Sequence, residues 1–266
     1  MITAIPASGQ PAGALHRVLA RIATSRARHG IVHPVRLIAV SKGQPAERIA
    51  ALAACGQRAF GENYLAEARR KQAALEATRE VIVEPQPPPG RPAGRPSTAP
   101  LEWHFIGAVQ RNKTAEIAAH FAWVQSVDRE LIATRLAGQR PAALPPLAVL
   151  IQVNVDREPG KHGIDPALLL PLAAHIAGLP ALALRGVMGM PPAGQDETAR
   201  RRSFARLRAC YERLQTAGYP VDTLSMGMTA DLEWAIAEGS TMVRVGTALF
   251  GPRPARREPT ASRHPN

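Results

Sequence analysis

The stretch Arg36–Pro45, RLIAVSKGQP, determines how the rest of this sequence is interpreted. It predicts a short apolar strand, Leu37–Val40, which delivers Lys42 to its C-terminal end, followed by a loop with Gly43 and then a helix. A lysine that is desolvated at a strand end can lose its proton, and the neutral amine can form an imine with an aldehyde. Taken alone, the stretch fits better with a lysine that extends to solvent and has no chemical role. Motifs later in the sequence are needed to decide between these two interpretations of Lys42.

The composition indicates a globular α/β protein of one large or two small domains. Aromatic residues make up only 4% of the 266 residues, so we expect a core of Ala, Leu and Val. The first residues, MITAIPASGQPAG, lack the basic and apolar regions of a secretory signal, and no apolar run approaches a membrane span of about 20 residues. A cytoplasmic protein is therefore expected, with Cys55 and Cys210 reduced rather than joined or bound to metal.

The formal net charge of +12 is compatible with nucleic-acid binding. The arginines are nevertheless spread over many predicted helices, with clusters at Arg200–Arg202 and Arg253–Arg257, and no basic stripe alternates with aromatic residues. A general composition bias explains this charge equally well. Specific nucleic-acid binding is therefore not expected.

Eight apolar segments alternate with helical segments after an amphipathic helix at Ala12–Gly30. The strands are predicted at Leu37–Val40, Ala59–Asn63, Glu102–Gly107, Trp123–Val127, Leu147–Asn154, Leu182–Met190, Thr223–Gly227 and Met242–Gly246. Regular alternation of this kind indicates a parallel sheet, and eight units fit a single (β/α)₈ TIM barrel, which typically has about 250 residues. A doubly wound open sheet is the alternative, but no glycine-rich fingerprint follows the first strand.

The predicted barrel domain covers residues 12–251. Residues 1–11 are expected to be a flexible N-terminus, and residues 252–266 a flexible tail. The proline-rich segment at 84–100, EPQPPPGRPAGRPSTAP, is predicted to be an exposed insertion, because its composition excludes helix and strand interiors. We expect a plain linker, with a polyproline II ligand for a partner as the alternative.

Polar side chains and glycines lie near the predicted C-terminal ends of the strands, where the active sites of TIM barrels lie. These residues are Lys42, Asn63, His104 with Gly107, Asn154, Met188 with Met190, Ser225 with Gly227, and Arg244 with Gly246. Each alone is more often structural, and a histidine beside Trp103 is commonly a packing residue. If the barrel forms, however, the set converges on one pocket.

The last two strand ends predict a site for a phosphate group. Ser225 and Gly227 precede a helix whose N-terminal amides would face the pocket, and Gly246 and Thr247 follow the neighbouring strand. Loops after the seventh and eighth strands commonly bind phosphate in such barrels, and backbone N–H groups hold a dianion without a lysine. Two ordinary glycine turns would fit the same spacing equally well.

Arg244 would face the same pocket if Gly246 ends the last strand. A guanidinium cannot give up its proton, so beside a pyridine nitrogen it would donate a hydrogen bond and keep that nitrogen unprotonated. Together with an imine-forming lysine and a phosphate site, this pattern points to pyridoxal 5′-phosphate (PLP) held well but activated poorly. An arginine paired with a carboxylate outside the barrel is the alternative.

A series of motifs in order resembles the pyridoxal phosphate homeostasis protein family, which is similar to the N-terminal barrel of alanine racemase. The motifs are AVSKGQP, FGENY, WHFIGAVQRNK, SVD, QVN, RGVMGM, LSMGMTADLEWAI and GSTMVRVGTALFG, and they span Arg36 to Gly251. The resemblance implies a fold-type III PLP barrel with Lys42 as the Schiff-base lysine. It also implies phosphate contacts from Ser225, Met226, Gly227, Met228, Gly246 and Thr247, with Arg244 near the pyridine nitrogen.

Two departures from the family pattern concern the surroundings of the pocket. Gly43 stands where family members often have threonine, which is expected to loosen the loop beside Lys42. In NVDREPGKHGID, Lys161 and His162 add charge to a segment that is usually less charged, and they are expected to alter access to the pocket.

The resemblance implies a PLP carrier that regulates vitamin B6 and amino-acid pools without established turnover. PLP is the expected partner, with apo forms of PLP-dependent enzymes as candidate recipients, in a monomer without metal. The second hypothesis is a weak PLP-dependent racemase or lyase that uses Tyr64 or a water molecule as second acid. The third is a binding module for RNA or protein, supported only by the charge and the insertion.

Overall fold

Eight parallel strands close into a barrel in the computed structural model, which describes residues 9–79, 100–192 and 194–252. The strands are β1 (Arg36–Val40), β2 (Ala59–Glu62), β3 (Glu102–Phe105), β4 (Trp123–Val127), β5 (Leu147–Gln152), β6 (Leu182–Met188), β7 (Thr223–Ser225) and β8 (Met242–Val245). Each strand pairs with the next, and β1 pairs with β8 with Leu37 opposite Val243. The predicted (β/α)₈ barrel is therefore confirmed, and the open sheet is excluded.

Helices cover the outside of the barrel and follow the strands in the predicted order. They are α1 (Gly9–Arg28), α2 (Ala46–Ala54), α3 (Leu65–Arg79), α4 (Thr114–His120), α5 (Glu130–Gly138), α6 (Leu169–Ala177), α7 (Glu197–Thr216), α8 (Leu232–Ala237) and α9 (Thr247–Phe250). Short 3₁₀ turns at Arg111–Lys113 and Pro166–Leu168 precede α4 and α6.

The N-terminal helix α1 packs against α8, α9 and α2. It begins at Gly9, three residues before the predicted start at Ala12. Leu15, Val18 and Ile22 are buried on its apolar face, whereas Leu19 is 47% exposed. One residue advances about 100° around a helix, so Leu19 lies at the edge of the apolar stripe rather than within it.

Two apolar layers stabilise the barrel. The larger layer lies between the strands and the helices and includes Phe60, Phe121 and Phe204, each no more than 2% exposed. The smaller layer fills the barrel interior and consists of Ile38, Ala59, Trp123, Ala148, Leu150, Met188 and Met242. A TIM barrel interior is a packed core of this kind, so a ligand must bind at its rim.

The predicted insertion at 84–100 lies outside the described residues except for Pro100, as do the predicted flexible ends except for residues 9–11 and Pro252. Cys55 is exposed and Cys210 is buried, and the two form no disulfide. In the described ranges, no helix combines the length and the apolar character needed to cross a membrane.

Candidate cofactor site

A cavity of about 240 Å³ opens at the C-terminal ends of the strands. Loops that follow β1, β2, β3, β6, β7 and β8 all contribute to it. Its lining consists of Val40, Lys42, Gln44, Asn63, Ile106, Met190, Met228, Thr229, Ala230, Arg244, Gly246, Thr247 and Gly251. The site is therefore assembled from residues spread over more than two hundred positions of sequence, from Val40 to Gly251.

Lys42 reaches this cavity from a tight turn after β1. The amide of Ser41 donates to the Gly61 carbonyl at 3.0 Å, which extends the pairing with β2, and the amide of Gln44 then donates back to the Ser41 carbonyl at 3.0 Å. Lys42 lies inside this turn and is half-buried. Gly43 has a φ of 73°, a backbone conformation that glycine adopts more readily than threonine.

A buried group of side chains, here called the Lys71 cluster, holds both neighbours of Lys42. It consists of Ser41, Glu62, Glu67 and Lys71. The Lys71 ammonium donates to the Ser41 carbonyl at 2.6 Å and to carboxylate oxygens of Glu62 at 2.6 Å and Glu67 at 2.5 Å. Glu67 also accepts from the Gly43 amide at 2.5 Å, and Glu62 accepts from the Ser41 hydroxyl at 2.6 Å. The hydrogen bond from the Gly43 amide to Glu67 thus opposes the loosening of the loop that was expected from glycine at this position.

Glu62 is fully buried in this cluster, and burial raises the pKa of its carboxyl, although Lys71 and Ser41 act in the opposite direction. One of its oxygens, Oε2, has no hydrogen-bond partner among the described residues. Unpaired buried charge is costly, so the ion pair with Lys71 is what allows Glu62 to occupy this position.

Arg244 extends from β8 to the floor of the cavity and is only 4% exposed. Its Nη1 donates to the Ser225 hydroxyl at 2.7 Å, and its Nη2 donates to the Gly189 carbonyl at 3.0 Å. Both acceptors are neutral. Burial lowers the pKa of the guanidinium to about 10, although the charge of Asp231 acts to raise it. A buried cation that is bonded to neutral oxygens favours an anionic ligand nearby.

The loops after the neighbouring strands β7 and β8 both line the cavity. Gly227 has a φ of 95°, and a Cβ there would lie 2.5 Å from the Cβ of Ala235, so this position requires glycine. Beyond it, Asp231 accepts from the Met228 amide at 2.6 Å and pairs with Arg200 at 2.5 Å. The loop is therefore held in place from α7, while Thr229 and Ala230 remain at the cavity.

The structure brings half of the predicted site residues together and places the other half elsewhere. The residues that line the cavity are Lys42, Asn63, Met228, Arg244, Gly246 and Thr247. Those that lie outside the lining are His104, Asn154, Met188, Ser225, Met226 and Gly227. These six, like Gly107, lie outside this lining for the physical reasons given below, and which residues contact a cofactor stays a prediction.

Two of the six contact Arg244, and a third is buried in the core. Ser225 bonds to Arg244 from below, the carbonyl of Gly227 accepts from the Arg244 amide at 2.9 Å, and Met226 is fully buried in the outer core. Met188 belongs to the apolar layer inside the barrel. These residues support the cavity but do not line it.

His104 and Asn154 are directed away from the cavity. The His104 ring stacks on Trp123, the first residue of β4, and contacts Glu102, the first residue of β3, so it lies towards the N-terminal ends of the strands. The side chain of Asn154 exchanges hydrogen bonds at 3.0 and 3.1 Å with the backbone of Glu158 in its own loop. Both satisfy structural needs at these positions.

Several lining residues were not predicted, although the motifs contain them. Thr229 and Ala230 follow Met228 in SMGMTAD, and Gln44 lies in the first decapeptide. Met190, which was expected near the pocket at the end of the sixth strand, does line the cavity. Tyr64, considered as a second acid, is 66% exposed and lies outside the lining.

The two charged residues expected to alter access also lie outside the cavity lining. Lys161 pairs with Glu158 at 2.5 Å. The carbonyl of His162 accepts from Gln152 at 3.1 Å, and the His162 side chain is 61% exposed. Within the described ranges, no group of three or more His, Cys, Asp or Glu side chains is placed to hold a metal ion.

Comparisons with known proteins agree with this architecture. The family model for the alanine racemase N-terminal domain matches residues 15–254. The pyridoxal phosphate homeostasis proteins of Pseudomonas aeruginosa and Escherichia coli K12 are 49% and 47% identical to this chain. Each alignment covers 82% of this chain, together with 85% and 86% of the respective relative.

Among solved structures, PipY of Synechococcus elongatus with PLP bound is 34% identical and superposes with a TM-score of 0.73. The match covers 91% of this chain and 100% of PipY. The fold, the order of the motifs and the extent of these matches lead to one assignment. This chain belongs to the pyridoxal phosphate homeostasis protein family, within the alanine racemase N-terminal domain family.

Proposed function

We propose that this chain binds PLP through Lys42 and acts in PLP homeostasis, the role that gives its relatives their name. The observation that carries the proposal is the convergence of Lys42, the buried cation Arg244 and two loop backbones on one small cavity. The relative PipY, whose structure was solved with PLP bound, supports the same ligand.

The polar groups at the cavity fit such a ligand. The side-chain oxygen of Asn63 is buried without a hydrogen-bond partner in the described part of the chain, and it lies in the cavity lining. Buried polar atoms are rarely left unpaired, so this amide indicates a bound polar group. Arg244, bonded to neutral oxygens, suits an anionic molecule.

When bound, PLP supplies an aldehyde that reacts with a primary amine and a ring that withdraws electrons. In our proposal Lys42 provides the amine. The amides of Gly246 and Thr247, at the first turn of α9, precede the first intrahelical hydrogen bond and can donate to phosphate oxygens. Arg244 would donate to the pyridine nitrogen and keep a proton off it, which would favour retention of the cofactor over chemical activation.

The cavity composition favours a carrier over a racemase or lyase. None of the described lining residues is Tyr, His, Asp, Glu or Cys, so the described lining offers no side chain typical of a second acid or base for racemisation. We therefore expect no sustained turnover of amino acids. A cytoplasmic monomer that supplies PLP to apo-enzymes, without specific binding of nucleic acid, stays our prediction.

The test is the absorbance of the purified full-length protein with PLP, before and after borohydride reduction. We expect a visible band, its loss on reduction, and a pyridoxyl label on the peptide that contains Lys42. Lys42→Ala should abolish the label, whereas Lys161→Ala, a surface control, should retain it. Absence of band and label in the wild-type protein would refute PLP binding.

A second measurement separates a carrier from an enzyme. L-alanine and other amino acids are mixed with the PLP-loaded protein, and optical rotation is followed over time. We expect the amount of amino acid converted not to exceed one molecule per molecule of protein. Steady racemisation over many turnovers would refute the carrier role and favour the enzymatic alternative.

A further inference from the structure

A row of polar side chains crosses the otherwise apolar interior of the barrel. Its innermost members, His104, Gln125 and Ser225, are fully buried, and Arg244 at its upper end is 4% exposed. They lie among the apolar side chains of the inner layer, and Gln125 also contacts the Met242 sulfur at 3.2 Å. Buried polar groups cost free energy unless they are bonded, so a row in this position requires an explanation.

The members of the row form successive hydrogen bonds from the cavity to the far end of the barrel. Arg244 Nη1 lies 2.7 Å from Ser225 Oγ, and Ser225 Oγ lies 2.8 Å from Gln125 Oε1. Gln125 Nε2 lies 3.0 Å from His104 Nδ1, and His104 Nε2 lies 2.5 Å from Glu102 Oε1. Arg36 closes the row with a contact of 2.6 Å to the same carboxylate oxygen. We call these six residues, Arg36, Glu102, His104, Gln125, Ser225 and Arg244, the interior polar row.

The two ends of the row determine the direction of every bond between them. An ionised carboxylate only accepts hydrogen bonds and a guanidinium only donates them. His104 therefore donates from Nε2 to Glu102, and its Nδ1 accepts from the amide nitrogen of Gln125. The Gln125 oxygen accepts from the Ser225 hydroxyl, which in turn accepts from Arg244. Donor and acceptor match at each contact.

The row ends at a group that faces the cavity. Ser225 and the Gly189 carbonyl bind the two terminal nitrogens of Arg244, so the plane of the guanidinium is fixed from below and from the side. Ser225 is in turn held by Gln125, and Gln125 by His104. The remaining surface of the guanidinium contributes to the cavity lining.

We propose that Glu102, His104, Gln125 and Ser225 are positioning residues that orient Arg244 towards the bound ligand. The inference rests on the proposed function, because the ligand is taken to be PLP. In this arrangement Glu102, at the opposite end of the barrel from Lys42, influences the electronic state of the cofactor ring. Because the Glu102 carboxylate can only accept, it determines which atom donates and which accepts at each hydrogen bond up to Arg244.

The first test uses the cofactor-free protein. Nitrogen-15 spectra of the imidazoles, with His104 assigned through His104→Gln, should show a neutral ring protonated at Nε2. In Glu102→Gln the side-chain amide can donate to Nε2 as well as accept from it, so the Nε2 proton is no longer imposed and the Nδ1 tautomer should become populated. Protonation of His104 at Nδ1 in the wild-type protein would overturn the inference whether or not PLP binds.

The second test uses the PLP-loaded protein. Ser225→Ala and Glu102→Gln should shift the absorbance maximum of bound PLP, and Ser225→Ala should weaken affinity about tenfold, because one hydrogen bond to a charged group is lost. Ser225→Thr should restore the wild-type spectrum. The control is Ser240→Ala, which removes another fully buried serine hydroxyl, one bonded to the Met226 carbonyl at 2.7 Å.

The outcomes separate this inference from the proposed function. A wild-type protein that shows neither the visible band nor a label on Lys42 refutes PLP binding itself. A wild-type protein that binds PLP, together with Ser225→Ala and Glu102→Gln variants of unchanged spectrum and affinity, refutes only the positioning role. If Glu102→Gln does not fold, the positioning role is tested by comparing the PLP spectrum and affinity of Ser225→Ala with those of Ser225→Thr.

Discussion

The ammonium nitrogen of Lys71 lies 2.6 Å from the carbonyl oxygen of Ser41, the residue that immediately precedes Lys42. Lys71 belongs to α3, whereas Lys42 follows β1, so a helix on the outside of the barrel fixes the turn that carries the candidate cofactor lysine. The side chains of Lys71 and Glu62 are 7% and 0% exposed. The bond is therefore shielded from water, and its effect should be measurable.

Replacing Lys71 with methionine should destabilise the protein and slow the labelling of Lys42. The change leaves Glu62 buried without its cation, and breaking a buried ion pair in this way typically costs about 3 to 5 kcal/mol. Urea denaturation measures the loss of stability, and the rate of borohydride-trapped labelling measures the effect on the turn. Lys161→Met, which breaks only the exposed pair with Glu158, should cost less than about 1 kcal/mol. Equal stability and labelling rates for Lys71→Met and wild type would show that Lys71 does not hold the turn.

Replacing Arg244 with methionine should weaken PLP binding by tenfold or more. The guanidinium is the buried cation of the cavity, and hydrogen bonds to charged groups contribute about 1.5 to 3 kcal/mol. Equilibrium titration followed by absorbance provides the dissociation constant. The matched control is Arg185→Met, which removes an arginine paired with Asp222 at the other end of the barrel. An unchanged dissociation constant for Arg244→Met would place the ligand away from β8.

Stability should fall in acid because of Glu102. Burial acts to raise the pKa of this carboxyl, but the hydrogen bond from His104 and the charge of Arg36 lower it from the ordinary 4.5 to about 2. The folded protein thus binds this proton less readily than the unfolded chain. The stabilisation is present above about pH 4.5 and is lost between that value and about 2. Because the carboxyl is partly exposed and screened by solvent, the loss should be about 1 to 2 kcal/mol.

Urea denaturation at several pH values between about 6 and 3 tests this dependence. Glu102→Gln should flatten the acid limb of the curve, whereas Glu47→Gln, at an exposed position of α2, should leave it unchanged. The same acid limb in Glu102→Gln and wild type would assign the loss of stability to other carboxylates.

Replacing Gly107 with alanine should destabilise the barrel and disturb Asn63. A Cβ at this position would lie 2.1 Å from the backbone oxygen of Asn63, so one of the two loops must move. Overpacking of this kind costs about 1 to 3 kcal/mol. Gly138→Ala, where nothing lies within 4 Å of the added Cβ at the end of α5, should be neutral or slightly stabilising. Thermal unfolding and PLP affinity are the measurements, and a fully stable Gly107→Ala variant would contradict the predicted clash.

Local sequence patterns predicted most of the element boundaries to within a few residues. The strand ends were the main exception: β7 was expected to reach Gly227 but stops at Ser225, because Gly227 adopts a positive φ. The short helix α9 was not predicted, since the four residues Thr247–Phe250 carry too little periodicity to be recognised.

The Lys71 cluster and the interior polar row were not predicted because their members are far apart in sequence. Lys71 appears in the sequence as one of several charged residues of α3, and its burial against Ser41 depends on how α3 packs on the barrel. Gln125 and Ser225 lie a hundred residues apart and meet only when β4 and β7 face each other inside the closed barrel.

By itself the sequence determined the alternation of strands and helices, the position of Lys42 after β1 and the two glycine loops at the end of the chain. These features depend on local periodicity and turn chemistry. The tertiary structure alone decided which side chains near the strand ends reach the cavity. In a tilted, staggered barrel the level and the face of each side chain depend on register, so Arg244 of β8 lines the cavity, whereas His104 of β3 faces the opposite end.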